Sequence, residues 1–169
     1  MTEALEPIIS DRVEALVGLV LRRACDLHLK LATAESCTGG LLASLLTDVP
    51  GCSHAFERGF VTYTDAAKHE LLSVPLDLLA GDGPVSEAAA RAMAEGALAR
   101  SCADVALSVT GWAERGPGPG DEAGLVWFGC ARHGRPTETR QARFGDVGRA
   151  RVRLGCLEVA LEMARTALA

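Results

Sequence analysis

Three clusters in this chain have the residue types and spacing that acyl transfer uses, and each stands where an apolar run gives way to a polar turn. The first is Thr33-Ala34-Glu35-Ser36-Cys37-Thr38-Gly39-Gly40, between the apolar runs Leu29–Ala34 and Leu41–Leu46. That layout predicts a strand, a tight turn and a helix over Cys37–Thr47 with Ser36 as its N-cap. Ser36, Cys37 and Thr38 then stand among the free N–H groups of a helix N-terminus. Four amide donors lack partners there, and the macrodipole adds positive potential, so phosphate, carboxylate or a developing oxyanion is attracted. Gly39 and Gly40 let a ligand approach the backbone closely. An ordinary capped strand–helix turn is the other reading of the same residues.

The second cluster is Tyr63-Thr64-Asp65-Ala66-Ala67-Lys68. With Asp65 as a helix cap, Lys68 falls in the first turn, where the dipole disfavours a cation. Partial burial adds to that and lowers a lysine pKa, which suits a base. A serine activated by such a lysine is one solution to acyl transfer, with a tyrosine to relay the proton. A solvated lysine paired with Asp65 or Glu70 is the alternative. The third cluster, Ser108-Val109-Thr110-Gly111-Trp112, is another strand running into a glycine-containing turn. Ligands of open α/β sheets gather beyond the carboxyl ends of parallel strands, so all three strand ends have a common crevice available to them.

The elements that must hold these clusters follow from periodicity. Ile9 to Leu27 repeats apolar residues at helical spacing, Leu29–Ala34 and Phe60–Thr64 read as strands, and Ala66–Leu72 as a short helix. A helical turn over Pro75–Leu79 precedes a helix from Ser86, its N-cap, to about Ala99. Val105–Val109, Leu125–Ala131 and the more polar Thr137–Phe144 are strands, and Leu154 to Leu168 is an amphipathic closing helix. Early βα alternation implies parallel strands, and the late β-β-β run implies antiparallel additions. The fold class is therefore α/β, a mixed sheet between helical layers. Gly116–Gly120 reads as a loop over one sheet edge, able to act as a lid.

Composition narrows the partners. The 169 residues suit one domain, 1–169, with an aliphatic core, since hydrophobic residues make up 49% and aromatics 4%. A formal net charge of −5 argues against a nucleic-acid surface. No signal segment is read in MTEALEPIIS and no membrane span elsewhere, so a cytoplasmic protein is expected. Six cysteines without a CxxC pair read as reduced, buried thiols, and the scattered histidines suggest no metal site. A homo-oligomer is expected of a small alanine-rich domain.

With the three clusters identified, the chain resembles the CinA C-terminal domain family, the nicotinamide-nucleotide amidases. The resemblance rests on TAESCTGGLLASLLTDVPGCSHAF, GFVTYTDAAKHELLSVP, GPVSEAAARAMAEGAL and ALSVTGWA, spanning Ala32 to Ala113. It implies a three-layer α/β/α sandwich with a mixed, mostly parallel sheet, in a free-standing copy of the domain. It further implies hydrolysis of nicotinamide mononucleotide to nicotinic acid mononucleotide and ammonia, without metal or organic cofactor. Carried over to this sequence, Ser36 is the nucleophile, Lys68 and Tyr63 are base and proton relay, and Thr110 binds substrate. Cys37, Thr38, Gly39, Gly40 and Gly111 are further substrate-binding positions, the backbone amides near Cys37–Gly39 serving either the oxyanion or the phosphate, and Arg151 is the phosphate ligand, with Arg149 as its alternative.

Two stretches depart from the family pattern. Glu114 and Arg115 follow Ala113 where the family continues Gly-Pro-Gly-Gly, and Val147 stands at the first arginine of Phe-x-Gly-Asp-Arg-x-x-Val-Arg. Glu114 adds negative charge where an anionic nucleotide would lie. These departures keep open a catalytically inactive nucleotide-binding or interaction module, or a hydrolase of another small amide. Cys37 as nucleophile lacks a nearby histidine, and Trp112 is expected to pack or to stack on a nicotinamide.

Overall fold

A computed structural model describes residues 9–169; most of the stretch on which the absence of a signal segment was read lies outside the described residues. In chain order the elements are α1 (Asp11–Asp26), β1 (Leu31–Glu35), α2 (Leu41–Leu45), a 3-10 turn (Ser53–Ala55), β2 (Phe56–Val61), α3 (Asp65–Leu72), α4 (Leu76–Gly81), α5 (Glu87–Ala99), β3 (Val105–Gly111), β4 (Leu125–Arg132), β5 (Glu138–Arg143) and α6 (Arg149–Ala167). The five strands form one sheet in the order β2-β1-β3-β4-β5. β1 pairs parallel with β2 and β3, whereas β3–β4 and β4–β5 are antiparallel. Four of the five strands therefore run the same way, and the sheet is mixed.

The two sheet faces differ in residue size, and that difference sorts the helices. On β3, Val105, Leu107 and Val109 face one side and join Leu31, Val126 and Phe128 under α1 and α6. The alternate positions, Ala106 on β3 with Ala32, Ala34 and Ala131, face α5. Period-two alternation of large and small thus gives one thick layer and one close one. The close approach is tight: a Cβ on Gly129 would meet the Ala90 carbonyl oxygen of α5 at 2.6 Å, and Ser108 Oγ donates to the same oxygen at 2.6 Å. Helices cover both faces, so the molecule is an α/β/α sandwich.

From β1 the chain moves outward to β2 through α2, then returns across β1 to β3 through α3–α5. Right-handed crossovers in opposite directions place those connections on opposite faces and open a crevice at the β1/β3 carboxyl ends. Two hydrogen bonds extend the ladder past the strands there: Ser36 N donates to Val109 O at 2.9 Å, and Thr62 N to Glu35 O at 2.7 Å. The ends of β1, β2 and β3 are thereby held side by side.

Several boundaries differ from the sequence expectations for physical reasons. β2 runs from Phe56 to Val61 rather than Phe60–Thr64, because ladder bonds to β1 hold the polar Glu57-Arg58-Gly59 in the sheet. Thr64, not Asp65, caps α3, its Oγ1 accepting from Ala67 N at 3.1 Å. Ser86 caps α5 as expected, accepting from Ala89 N at 3.1 Å.

Candidate active site

Ser36 does not cap α2. Gly39 and Gly40 have φ of 60° and 92°, left-handed values that delay the helix until Leu41. The cap comes from Glu35, a fully buried carboxylate one residue before the serine. Its oxygens accept from Gly40 N at 3.1 Å, Leu42 N at 3.0 Å and Ala43 N at 2.8 Å, and from Thr33 Oγ1 at 3.3 Å. Orphan helix donors offset the burial of a carboxylate, and those bonds stiffen the turn. Glu35 therefore takes the capping role, and Ser36 Oγ is left free.

That hydroxyl meets Lys68. On α3, Lys68 and Leu72 lie four residues apart on the inward face, so the lysine is buried to 2% exposure. Its Nζ donates to Ser36 Oγ at 3.3 Å, across 32 residues of sequence. Asp65 Oδ1 lies 3.8 Å from the same nitrogen. Burial pushes the Lys68 ammonium pKa below its ordinary value, while Asp65 and Cys37 partly oppose that fall. A buried amine with a lowered pKa, touching a free hydroxyl, is the geometry of a base next to its nucleophile.

Ser36 and Lys68 open onto a cleft of about 680 Å3, which Cys37, Tyr63, Thr110, Gly111, Trp112, Glu114 and Arg149 also line. Thr110 Oγ1 donates to Pro84 O at 2.6 Å, fixing the loop before α5 as one wall. Trp112 is half-buried, and the loop rests on it: a Cβ on Gly116 would meet its Cδ2 at 2.7 Å. Gly118 N donates to Asp121 Oδ2 at 2.7 Å, closing the loop on itself. Tyr63 lies beyond the end of β2, 60% exposed, and its hydroxyl accepts from Arg149 Nη2 at 3.0 Å rather than bonding to Ser36 or Lys68.

The structure gathers some of the expected residues and not others. Thr38, Gly39 and Gly40 do not line the cleft; Gly39 N bonds to Ser36 O and Gly40 N to Glu35. Arg153 Nη2 holds the Thr38 carbonyl oxygen at 2.8 Å, pinning the turn from α6. No backbone carbonyl among the described residues accepts from the N–H groups of Cys37 and Thr38. Arg151 is exposed away from the cleft, and Arg149, two residues earlier, lines it. Cys37 and Cys156 of α6 are buried thiols that influence one another, Cys156 holding the Cys37 pKa below its ordinary value and Cys37 raising that of Cys156. Glu35 and Arg153 were not singled out from sequence as parts of this site, whereas Asp65 was weighed there as a helix cap and as an ion-pair partner of Lys68.

The profile of the CinA C-terminal domain matches residues 13–168. The chain belongs to the CinA C-terminal domain family. Within it, a "CinA-like protein" of Akkermansia muciniphila is 52% identical over 133 residues, which cover 75% of this chain and 32% of that protein. The chain thus spans about a third of the length of that relative. A "Nicotinamide-nucleotide amidohydrolase PncC" of Enterobacter agglomerans is 47% identical over 133 residues, 78% of this chain and 80% of that one. Among solved structures, the competence/damage inducible protein CihA from Agrobacterium tumefaciens superposes with a TM-score of 0.89 at 41% identity, covering 95% of this chain and 98% of its own. The CinA sandwich expected from sequence is thereby matched over nearly the whole chain. Among the described residues, no helix is long and apolar enough to cross a membrane.

Proposed function

We propose that this chain is an amidohydrolase that converts nicotinamide mononucleotide to nicotinic acid mononucleotide and ammonia. The observation that carries the reading is the 3.3 Å contact between Ser36 Oγ and the buried Lys68 Nζ at the floor of the cleft. The 47% identical relative whose name states that activity supports the choice of substrate.

In the proposed reaction, neutral Lys68 takes the Ser36 proton as Oγ attacks the carboxamide carbon. The N–H of Cys37, which lines the cleft next to Ser36, receives the oxyanion. Protonated Lys68 then returns the proton to the departing nitrogen, ammonia leaves, and a serine ester remains. Water, deprotonated by Lys68, hydrolyses the ester to the carboxylate and restores Ser36. The relay assigned to Tyr63 requires its hydroxyl to exchange Arg149 for the Lys68–Ser36 pair once substrate fills the cleft. Thr110 and Gly111 form the substrate wall, and Arg149 is the arginine available to the phosphate.

A second reading, a nucleotide-binding module without turnover, is favoured by Glu114 in the cleft and by the engagement of Tyr63 with Arg149. Ammonia release from nicotinamide mononucleotide by wild type and Ser36→Ala separates the two. The proposal expects release by wild type and loss of at least about a hundredfold in the variant, the scale of losing a nucleophile. Absence of release from folded wild type supports the binding module.

A further inference from the structure

The charged side chains that line the cleft are not equally committed. Lys68 touches Ser36 and faces Asp65. Asp121 is held by the Gly118 amide, and Arg149 donates to Tyr63. Glu114 and Arg115, in contrast, are exposed and make no ion pair or side-chain hydrogen bond among the described residues. Glu114 lines the same cleft as Arg149, and its charge favours the charged form of that arginine. An anion seated on Arg149 therefore enters the field of a carboxylate that has no other partner.

Taking the amidase reading as its basis, we infer that Glu114 is a specificity residue of the cleft: it competes with a substrate phosphate for Arg149 and shifts preference from the nucleotide toward the less anionic nucleoside carboxamide. Both ligands present the same pyridinium amide to Ser36 and Lys68, so the competition acts on the phosphate alone. Like-charge repulsion at an exposed rim is weakened by water and salt, so the effect is a modest bias rather than exclusion. Arg115, next in the chain and lining the same cleft, carries the opposite charge and pulls the preference back toward the nucleotide.

The test compares ammonia release from nicotinamide mononucleotide and from its nucleoside, together with calorimetric titration of inorganic phosphate. In Glu114→Gln the nucleotide-to-nucleoside ratio of kcat/KM rises about fivefold and phosphate binds more tightly by a similar factor. In Arg115→Gln and Arg149→Gln both quantities fall. An unchanged ratio with unchanged phosphate affinity in Glu114→Gln overturns the inference, while ammonia release by wild type would leave the amidase reading standing. Tighter phosphate binding in Glu114→Gln without ammonia from either compound would uphold the competition and sink the amidase reading.

Discussion

In the proposed reaction Lys68 is the residue on which the chemistry turns, because a lysine works as a base only in its neutral form. Burial lowers its pKa and Asp65 raises it again, so the two neighbours set how much neutral amine exists at a given pH. The neutral fraction grows as pH rises through the lowered pKa, so activity has an acid limb reporting Lys68. Asp65→Asn removes the group that favours the charged form, lowers that pKa further, and moves the acid limb of kcat/KM to lower pH. A limb that stays in place, or moves to higher pH, would show that the titrating group is not Lys68. Asp65 is half exposed, so the displacement is limited by solvent screening. The cluster Tyr63–Lys68 was legible in sequence, but the depth of the lysine was not. Its burial depends on how α3 sits against the sheet, which no local pattern encodes. Glu35 was missed for a related reason: its carboxylate reaches forward five to eight residues, past two left-handed glycines, whereas a capping box closes over three.

At the scale of elements, the site depends on how α5 carries α3. Gly96 of α5 lies against the end of α3, where an added Cβ would fall 2.0 Å from the Leu72 carbonyl oxygen. Alanine would gain about 1 kcal/mol of helix propensity over glycine. A backbone clash of that severity costs about 1–3 kcal/mol, so the steric term wins. Gly96→Ala should lower Tm by a few degrees and reduce kcat as well, because Leu72 is one turn from Lys68. A Tm that rises would show that α3 has room to move and that propensity decides. Helix α5 itself was read closely from sequence, since Ser86 and its alanine stripe are local signals. β2 was not, because its polar middle residues are strand only by virtue of the ladder to β1. The replacement of Arg151 by Arg149 in the cleft has the same origin. Two residues on a helix differ by about 200° in direction, and the start of α6 fixes which arginine faces inward.

Across the whole molecule, strand order does what sequence proximity cannot. Ser36, Tyr63, Lys68, Thr110 and Arg149 are spread over more than a hundred residues, and the switch in crossover direction at β1 brings them to one crevice. Layering and strand direction were legible from the order of helical and β-type patterns, and the convergence of strand ends was available as an expectation from that order. Ser36 with Lys68 was expected as a pair, and what sequence withheld was other contacts across elements, such as Tyr63 with Arg149 and Arg153 with the Thr38 carbonyl. The central claim is that Ser36 and Lys68 act as one catalytic unit. The direct measurement is the steady-state rate of ammonia release for Ser36→Ala, Lys68→Met and the double variant. A unit gives strongly non-additive losses, with the double variant no slower than the slower single one. Losses that multiply, or a Lys68→Met rate near wild type, would contradict it.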